Sequence, residues 1–306
     1  MQATSTLEPP TVTPPPAAKS RTFGRAIDDI RQGAAQRELW AHLGWQDIKQ
    51  RYRRSVIGPL WITISMGVTA CGLGILYAVL FHHSISVFLP YVTTGFIVWG
   101  FINGCLTEGM DTFISNEGLI KHLPAPLTVY ALRTVWRQTL MLLHNLIVYV
   151  IMVVIFFPSL DHPYQMDTPY GQWHPGLGLW SFSAIPAFVL LALNGMWLTL
   201  TMGIISTRYR DIPQVINSVI QLAFYLTPIV WSPDDLFGNG QAHAQWAKVL
   251  FQLNPLYHFV QVMRAPLTGQ HVDWWSWATV GGITVLGWGM ALLIMRNYRA
   301  RVSYWV

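Results

Sequence analysis

Long runs of apolar residues alternate with short polar segments along most of this chain. Six of these runs approach the roughly 20 mostly apolar residues that a helix needs to cross a bilayer. They cover residues 59–81, 87–106, 138–157, 183–205, 213–231 and 277–295. Pro59 and Pro213 suit the starts of helices, where a missing backbone N–H costs nothing. The pattern predicts an all-α polytopic membrane protein with six transmembrane helices in residues 58–306.

The segment before the first run has a different pattern. Trp40, Leu43, Ile48 and Tyr52 recur at about helical spacing, while basic residues occupy the other faces. This predicts an amphipathic helix within residues 28–57 that lies along the inner membrane surface. A helix packed on the protein itself is the alternative. Residues 1–27 begin with a proline-rich stretch of almost no charge, and we expect them to form a disordered cytoplasmic tail.

The stretch between the last two runs, residues 232–276, is too apolar for an exposed loop. It is interrupted by Pro233, Pro255 and Pro266, so no full span fits. Broken backbone at membrane depth is tolerated only where it is buried in protein or lines a cavity. The segment therefore predicts a pair of short re-entrant helices on the external side, with a helical hairpin on the surface as the alternative.

Charge is distributed very unevenly across these predicted spans. Of the 19 Lys and Arg residues, all but Lys248 and Arg264 fall on one side. Basic residues are retained in the cytoplasm during insertion, so both termini are predicted to be cytoplasmic. Only 11% of the residues are charged, against roughly 25% in soluble domains. The net charge of +5 does not indicate nucleic-acid binding, because the basic residues lie in short segments beside apolar runs.

The sequence carries no catalytic or metal-binding constellation. Cys71 and Cys105 both lie within predicted spans, where apolar packing is the expected role. A phosphate-binding loop needs a Lys directly after Gly, and none of the four lysines follows Gly. Any energy from ATP must therefore come through another polypeptide.

Three predicted spans carry stripes that mix aromatic rings with amide or hydroxyl groups. Such faces suit a sugar, whose C–H faces stack on rings while its hydroxyls form hydrogen bonds. Helix packing is the alternative, because small and polar residues also mediate contacts between spans. The candidates for a substrate channel are Trp61, Ser65, Tyr91, Trp99, Asn103, Asn217, Gln221, Phe224 and Tyr225.

Four motifs lie in and around these segments: QDIKQRYRRSVIGPLW at residues 46–61, RYRDI at 208–212, LTPIVW at 226–231 and NPLYHFVQVMRAPL at 254–267. Together they resemble the permease subunits of ABC type-2 exporters, and more narrowly those that export polysaccharides such as O-antigen, capsule or teichoic acid. The resemblance covers residues 28–306. The proline-rich start and the external segment 158–180 are longer than is usual in the family.

The resemblance implies a homodimer in the bacterial inner membrane with two copies of a separate ABC ATPase. ATP and Mg would bind the ATPase, and this chain would hold no cofactor. A lipid-linked polysaccharide would enter a channel between the two permeases from the cytoplasmic side. A coupling segment, residues 111–126, would dock into the ATPase through Asn116, Glu117, Leu119, Lys121 and His122.

Three arginines at the end of the amphipathic segment are candidates for the lipid headgroup or pyrophosphate. They are Arg51, Arg53 and Arg54, and guanidinium groups bind phosphate oxygens through bidentate, charge-assisted hydrogen bonds. Cytoplasmic retention and attraction to anionic headgroups is the alternative role.

The sequence thus predicts the membrane-spanning subunit of an ATP-driven polysaccharide exporter rather than an enzyme. An ABC type-2 exporter of a drug or lipid is the alternative within transport. A membrane-embedded glycan-processing enzyme is the alternative from another class, but it would need a cluster of carboxylates or histidines at a membrane surface.

Overall fold

A computed structural model describes residues 21–122, 125–165, 173–233, 249 and 251–306 of the chain. These residues are helical apart from short connections and one small β-ladder. The helices are α1 Phe23–Ala35, α2 Arg37–Arg51, α3 Leu60–Phe81, α4 Ile85–Met110, α5 Glu117–His122, α6 Leu127–Leu160, α7 Ala184–Arg208, α8 Ile212–Leu226, α9 Pro255–Thr268 and α10 Trp274–Trp305. Short 3₁₀ turns cover Ile114–Asn116 and Leu179–Ser183, and strands β1 Tyr164–Gln165 and β2 Trp173–His174 pair antiparallel.

Five helical segments are long and apolar enough to cross a membrane: α3, α4, α6, α10, and α7 together with the 3₁₀ turn before it. They correspond to five of the six predicted spans and confirm the all-helical, polytopic character of the chain. Helices α6 and α10 have 34 and 32 residues. At roughly 1.5 Å per residue, each exceeds the roughly 30 Å of a bilayer core, so each continues beyond the apolar run that predicted it.

The remaining predicted span, residues 213–231, is helical only over the 15 residues of α8. At roughly 1.5 Å per residue this helix is about 22 Å long, too short to cross a bilayer core by itself. Helix α8 ends at Thr227, which has an extended backbone conformation. Thr227 precedes Pro228, and a proline disfavours helical geometry in the residue before it. The apolar run was predicted correctly, but its helical length was not.

The bent segment that follows α8, residues 227–231, is held by side chains from other elements. The carbonyl of Pro228 accepts a hydrogen bond from Nη1 of Arg264 at 2.7 Å. The carbonyl of Trp231 accepts one from the Tyr91 hydroxyl at 3.3 Å, and the Asn254 amide donates to Oγ1 of Thr227 at 3.1 Å. Most of the segment is buried, as non-helical backbone at membrane depth must be.

The external segment predicted to be re-entrant is described in part, since residues 234–248 and 250 lie outside the described residues. Its described portion contains α9, which begins at a cap formed by the Asn254 side chain and ends at Gly269 with φ of 72°. Helix α9 packs against α4, α7 and α10. A Cβ atom on Gly269 would overlap the backbone of Gly176, so this close approach requires glycine.

The predicted amphipathic segment forms two helices, α1 and α2, separated at Gln36. Helix α1 begins at Phe23, inside the segment predicted to be a disordered tail; residues 1–20 lie outside the described residues. The predicted apolar stripe of α2 packs on α6: Trp40 meets Trp136 edge-on at 5.9 Å, and Ile48 is buried. Contact with the protein covers this face, as in the alternative interpretation.

Glycine allows α2 to approach α6 closely. A Cβ atom on Gly44 would lie 2.9 Å from Cδ1 of Trp136 and 3.2 Å from the carbonyl oxygen of Arg133.

At the centre of the bundle, α4 is buried along most of its length, whereas α3 and α8 lie at the edge with large exposed faces. The fold therefore leaves α3 and α8, like parts of α6 and α10, with substantial surface that the rest of the described chain does not cover.

Candidate functional site

The helix ends that carry most of the basic residues come together at one end of the bundle, which we call the basic end. Arg299 near the end of α10 pairs with Asp29 of α1 at 3.0 Å. The guanidinium of Arg208, at the end of α7, lies 5.3 Å from the Trp305 ring centroid and 5.8 Å from that of Tyr298. The charge pattern in the sequence thus corresponds to a real clustering of helix ends.

Five charged side chains at the basic end form one ion-pair network: Asp47 of α2, Glu108 of α4, Arg133 and Arg137 of α6, and Arg51 of α2. Asp47 accepts from both Nε and Nη2 of Arg133, and from Nη1 of Arg137 at 2.6 Å. Glu108 accepts from Arg137 at 2.6 and 2.9 Å and from Arg51 at 3.0 Å. The network joins α2 to the end of α4 and the start of α6.

The network is largely shielded from solvent, since the side chains of Asp47, Arg133 and Arg137 are only 14–17% exposed. Burial alone would raise the pKa of the Asp47 carboxyl. The hydrogen bonds and charges of Arg133 and Arg137 outweigh that effect and hold its pKa below the ordinary value. Asp47 is therefore ionised at neutral pH.

A second carboxylate ties α1 to the same end. The side chain of Asp29 is buried and accepts from the backbone N–H groups of Leu127 and Thr128, at 3.2 and 3.0 Å. It therefore caps the start of α6, where free N–H groups favour a negative charge. Its pairing with Arg299 completes a link between α1, α6 and α10.

The three arginines predicted to meet a lipid headgroup do not share one environment. Arg51 is engaged with Glu108 in the ion-pair network. Arg53 and Arg54 are exposed just beyond α2 and form no ion pair with the residues that the structure describes. Two of the three therefore remain open to a ligand.

The residues predicted to contact an ATPase lie at the basic end between α4 and α6. Glu117 pairs with Lys121 at 2.6 Å, and this bond and charge lower the pKa of Glu117. Leu119 and His122 are exposed beside them. Asn116 is half-buried, and its oxygen accepts from Nη1 of Arg133 at 2.8 Å.

The predicted channel residues divide into an exposed set and a buried set. Asn217, Gln221 and Tyr225 are all exposed on α8, with Tyr225 at 63%. Trp61 and Ser65 are exposed on α3. Within α8, every residue of which is described, only Ile220 is buried, so the helix offers a face that combines amides with aromatic and apolar groups.

The buried set centres on α4. The ring of Trp99 lies 5.5 Å from that of Phe224 on α8, and Asn103 is half-buried one turn further along α4. Tyr91 is buried, with the guanidinium of Arg264 3.7 Å from its ring centroid. Trp99 and Phe224 are thus brought together, whereas Tyr91 contributes to the packing around Arg264.

The described residues contain no group of three His, Cys, Asp or Glu side chains placed to hold a metal ion. The arrangement at the basic end pairs Asp29, Asp47 and Glu108 with arginines instead. It can fix helix ends relative to one another, and it leaves exposed cations for an anionic ligand.

A family model described as ABC-2 type transporter matches residues 38–268. This match covers well over half of the chain. The chain belongs to the ABC-2 type transporter family. The resemblance predicted from the motifs is confirmed, and with its five long apolar helices this ABC-2 transporter chain is a multi-pass membrane protein.

Curated relatives of this ABC-2 transporter chain share a common name. An O-antigen export system permease protein RfbA of Klebsiella pneumoniae is 24% identical over 229 residues, covering 67% of this chain and 82% of the relative. A protein of the same name from Myxococcus xanthus is 23% identical over 203 residues, covering 66% of this chain and 71% of the relative. The family match supports the predicted class, a transport component rather than an enzyme.

Sequence reasoning missed the roles of Asp29, Asp47 and Glu108. Only 14 acidic residues occur in the whole chain, and few buried carboxylates exist without a cation partner. Acids placed beside apolar runs could therefore have been identified as partners of the arginines. Which arginine pairs with which acid depends on contacts between residues up to 270 positions apart, and spacing along the chain does not reveal these.

Proposed function

We propose that this chain is the membrane-spanning permease subunit of an ATP-driven exporter that moves a lipid-linked polysaccharide, of O-antigen or capsule type, across the bacterial inner membrane. Membership of the ABC-2 transporter family and the names of the relatives support this proposal. The observation that carries it is the face of α8, where Asn217, Gln221 and Tyr225 are exposed. Amides facing lipid are unfavourable, so this face is expected to meet a polar substrate or a second subunit.

In this proposal two copies of the chain form the channel. The exposed faces of α3 and α8 would meet across the dimer axis, and the exposed channel residues would line the path of the polymer. Aromatic rings would stack on sugar C–H faces, while amide groups would exchange hydrogen bonds with hydroxyls. Neither the stacking nor the hydrogen bonds would hold the polymer at one position along the channel, so the polymer could advance.

Energy would come from two copies of an ABC ATPase, which would bind ATP and Mg. The chain itself has no Gly-Lys pair for a phosphate-binding loop. The ATPase would dock on the coupling segment, where Glu117, Leu119, Lys121 and His122 are exposed.

The basic end would face the cytoplasm, as the retention of basic residues requires. Helix α8 and the bent segment 227–231 would together form the fifth crossing, and α9 would belong to a re-entrant segment on the outer side. Arg53 and Arg54 would then lie near the inner headgroups, where a lipid pyrophosphate enters.

Co-purification and export assays test the proposal. The chain should co-purify with the product of a neighbouring ATPase gene, and Gln221→Ala should reduce export of surface polysaccharide while leaving that complex intact. Ser218→Ala is the matched control, because the Ser218 hydroxyl already donates to the Gln214 carbonyl of its own helix at 3.2 Å. A chain that binds no ATPase would contradict the proposal. Transport of a small amphiphile without any glycan would favour a drug or lipid exporter.

The proposed role of Arg53 and Arg54 has its own test. Replacing both with glutamine should weaken stimulation of the complex's ATPase activity by lipid-linked glycan, while basal activity is retained. Normal stimulation in that variant would leave these residues only a role in membrane anchoring.

A further inference from the structure

We propose that Arg133 is a positioning residue that transmits movement of the coupling segment to α2. The inference rests on the proposed function, because the movement would originate in a docked ATPase. Its basis is one guanidinium group shared between two elements. Nε and Nη2 of Arg133 donate to Asp47 of α2, and Nη1 donates to Asn116 of the coupling segment at 2.8 Å.

The hydrogen bond from Arg133 contacts the coupling segment at Asn116, next to α5. Asn116 ends the 3₁₀ turn and directly precedes α5, so any displacement of α5 reaches it first. Its amide also donates to the Thr112 carbonyl at 2.7 Å, which fixes the side chain to its own segment. Because Asn116 is next to α5 in the chain, we expect it to follow a displacement of α5, and it presents its oxygen to Arg133.

On the other side, Asp47 passes the movement to α2. The two carboxylate oxygens accept three hydrogen bonds from two arginines, a bidentate geometry that resists rotation better than a single point contact. Arg51, at the end of α2, pairs with Glu108 of α4. Helix α2 leads through residues 52–59 into α3, so its displacement would act on the start of a helix proposed to line the channel.

The charges of the network favour its moving as one unit. Three arginines share two carboxylates, and Asp47, Arg133 and Arg137 are largely shielded from solvent. Separating one partner would leave a charge unpaired there, which is strongly unfavourable. Lys121 and Glu117 offer a contrast on the same segment, since among the described residues they form an ion pair with each other alone and are well exposed. Of these contacts, the bond between Arg133 and Asn116 is the one that joins α5 to the network.

The test measures the movement of α2 directly, and this measurement needs no identified substrate. Spin labels would be placed at Lys49→Cys on α2 and Tyr304→Cys on α10, both exposed, in the permease–ATPase complex with Cys71 and Cys105 replaced by alanine. ATP with Mg should change the distance between the labels in the otherwise unaltered protein. Asn116→Ala should abolish that change, and glycan export should fall about tenfold, within the roughly 5–150-fold range for energetic coupling between sites.

Asn116→Asp is a partial rescue variant, because it keeps an acceptor oxygen for Arg133 but loses the amide that donates to the Thr112 carbonyl, and it should restore part of the distance change. Asp47→Asn interrupts the link from the side of α2, away from α5, and should give the same loss. Adding Asn116→Ala to Asp47→Asn should cause little further loss, since both changes act on one path. Asp47→Asn also serves if Asn116→Ala fails to assemble.

Two outcomes would overturn the inference. One is a distance change in Asn116→Ala equal to that in the unaltered complex. The other is an unaltered complex that assembles and hydrolyses ATP without any movement of the α2 label. Failure of the unaltered chain to bind an ATPase would instead contradict the proposed function, so the two failures are distinguishable.

Discussion

Arg264 is a fully buried arginine that contacts no carboxylate among the residues described here. Its charge is balanced by other means. The Tyr91 ring lies 3.7 Å away, the Pro228 carbonyl accepts from Nη1, and the Gln261 side chain accepts from Nη2 at 3.1 Å. An aromatic face and carbonyl dipoles both favour a nearby cation. Arg264 therefore holds together α4, α9 and the bent segment after α8.

Replacing Arg264 should destabilise the protein. Arg264→Met would leave the Pro228 carbonyl buried and unpaired, at a cost of about 1–3 kcal/mol. Arg264→Lys should recover only part of this stability, because an ammonium lacks the planar fork that reaches several partners. Thermal unfolding in detergent is the measurement, and Lys49→Met at an exposed position is the control. A melting temperature equal to that of the unaltered chain would refute the assigned role.

Substitutions of the buried Asp29 can be compared directly with substitutions of its neighbour Asp28, which is exposed. Asp29→Ala removes the cap of α6 and the partner of Arg299, so a loss of about 1–3 kcal/mol is expected. Asp29→Asn keeps an acceptor for the N–H groups and should lose less. Asp28→Asn should change little. Limited proteolysis around α1 would report the difference, and equal cleavage rates for the Asp28 and Asp29 variants would contradict it.

At the scale of elements, the sequence predicted where apolar surface occurs but not what covers it. The spacing of Trp40, Leu43, Ile48 and Tyr52 indicated one apolar face on α2. Lipid and a neighbouring helix satisfy such a face equally well, and the structure has α6 against it. In the same way, the run at residues 213–231 predicted a span, while the pair Thr227–Pro228 set where its helix ends.

The short β-ladder before α7 should respond to pH. Burial lowers the pKa of His174 to about 4, and the Tyr164 ring stands 5.2 Å away. Because the folded ladder disfavours the charged imidazole, its stability is complete above the unfolded pKa of about 6.5 and falls as pH drops from there toward 4. Hydrogen exchange at the imidazole carbon, followed by mass spectrometry, should give a pKa for His174 well below 6.5. A value near 6.5 would show that the ladder does not bury this ring.

For the whole molecule, segregation of charge predicted which helix ends meet. Residues as distant as Asp29 and Arg299 lie together because both belong to the basic end. The pairing inside that end was not predictable, since several arginines compete for few acids and only packing selects among them. The channel is harder still to predict, because its proposed lining belongs partly to faces that a single chain leaves exposed.

Orientation in the membrane provides a test at this scale. The basic end should face the cytoplasm, so a membrane-impermeant thiol reagent added to intact spheroplasts should label Trp180→Cys but not Tyr304→Cys. Both positions are exposed. Trp180 lies at the start of the helical segment whose other end, Arg208, lies beside Trp305 at the basic end, where Tyr304 also lies. Cys71 and Cys105 would first be replaced by alanine. After lysis both positions should react. Labelling of Tyr304→Cys in intact spheroplasts would reverse the orientation.

The link between Asp29 and Arg299 also has a consequence for biosynthesis. Asp29 is translated 270 residues before its partner, which at about 5–20 residues per second amounts to roughly a quarter of a minute to a minute. Throughout that interval Asp29 of α1 lacks its partner Arg299, and a buried carboxylate without a cationic partner is unfavourable. The link between α1 and α10 can therefore form only after the last helix has been inserted, and a ribosome that stalls before α10 should leave α1 more open to cellular proteases.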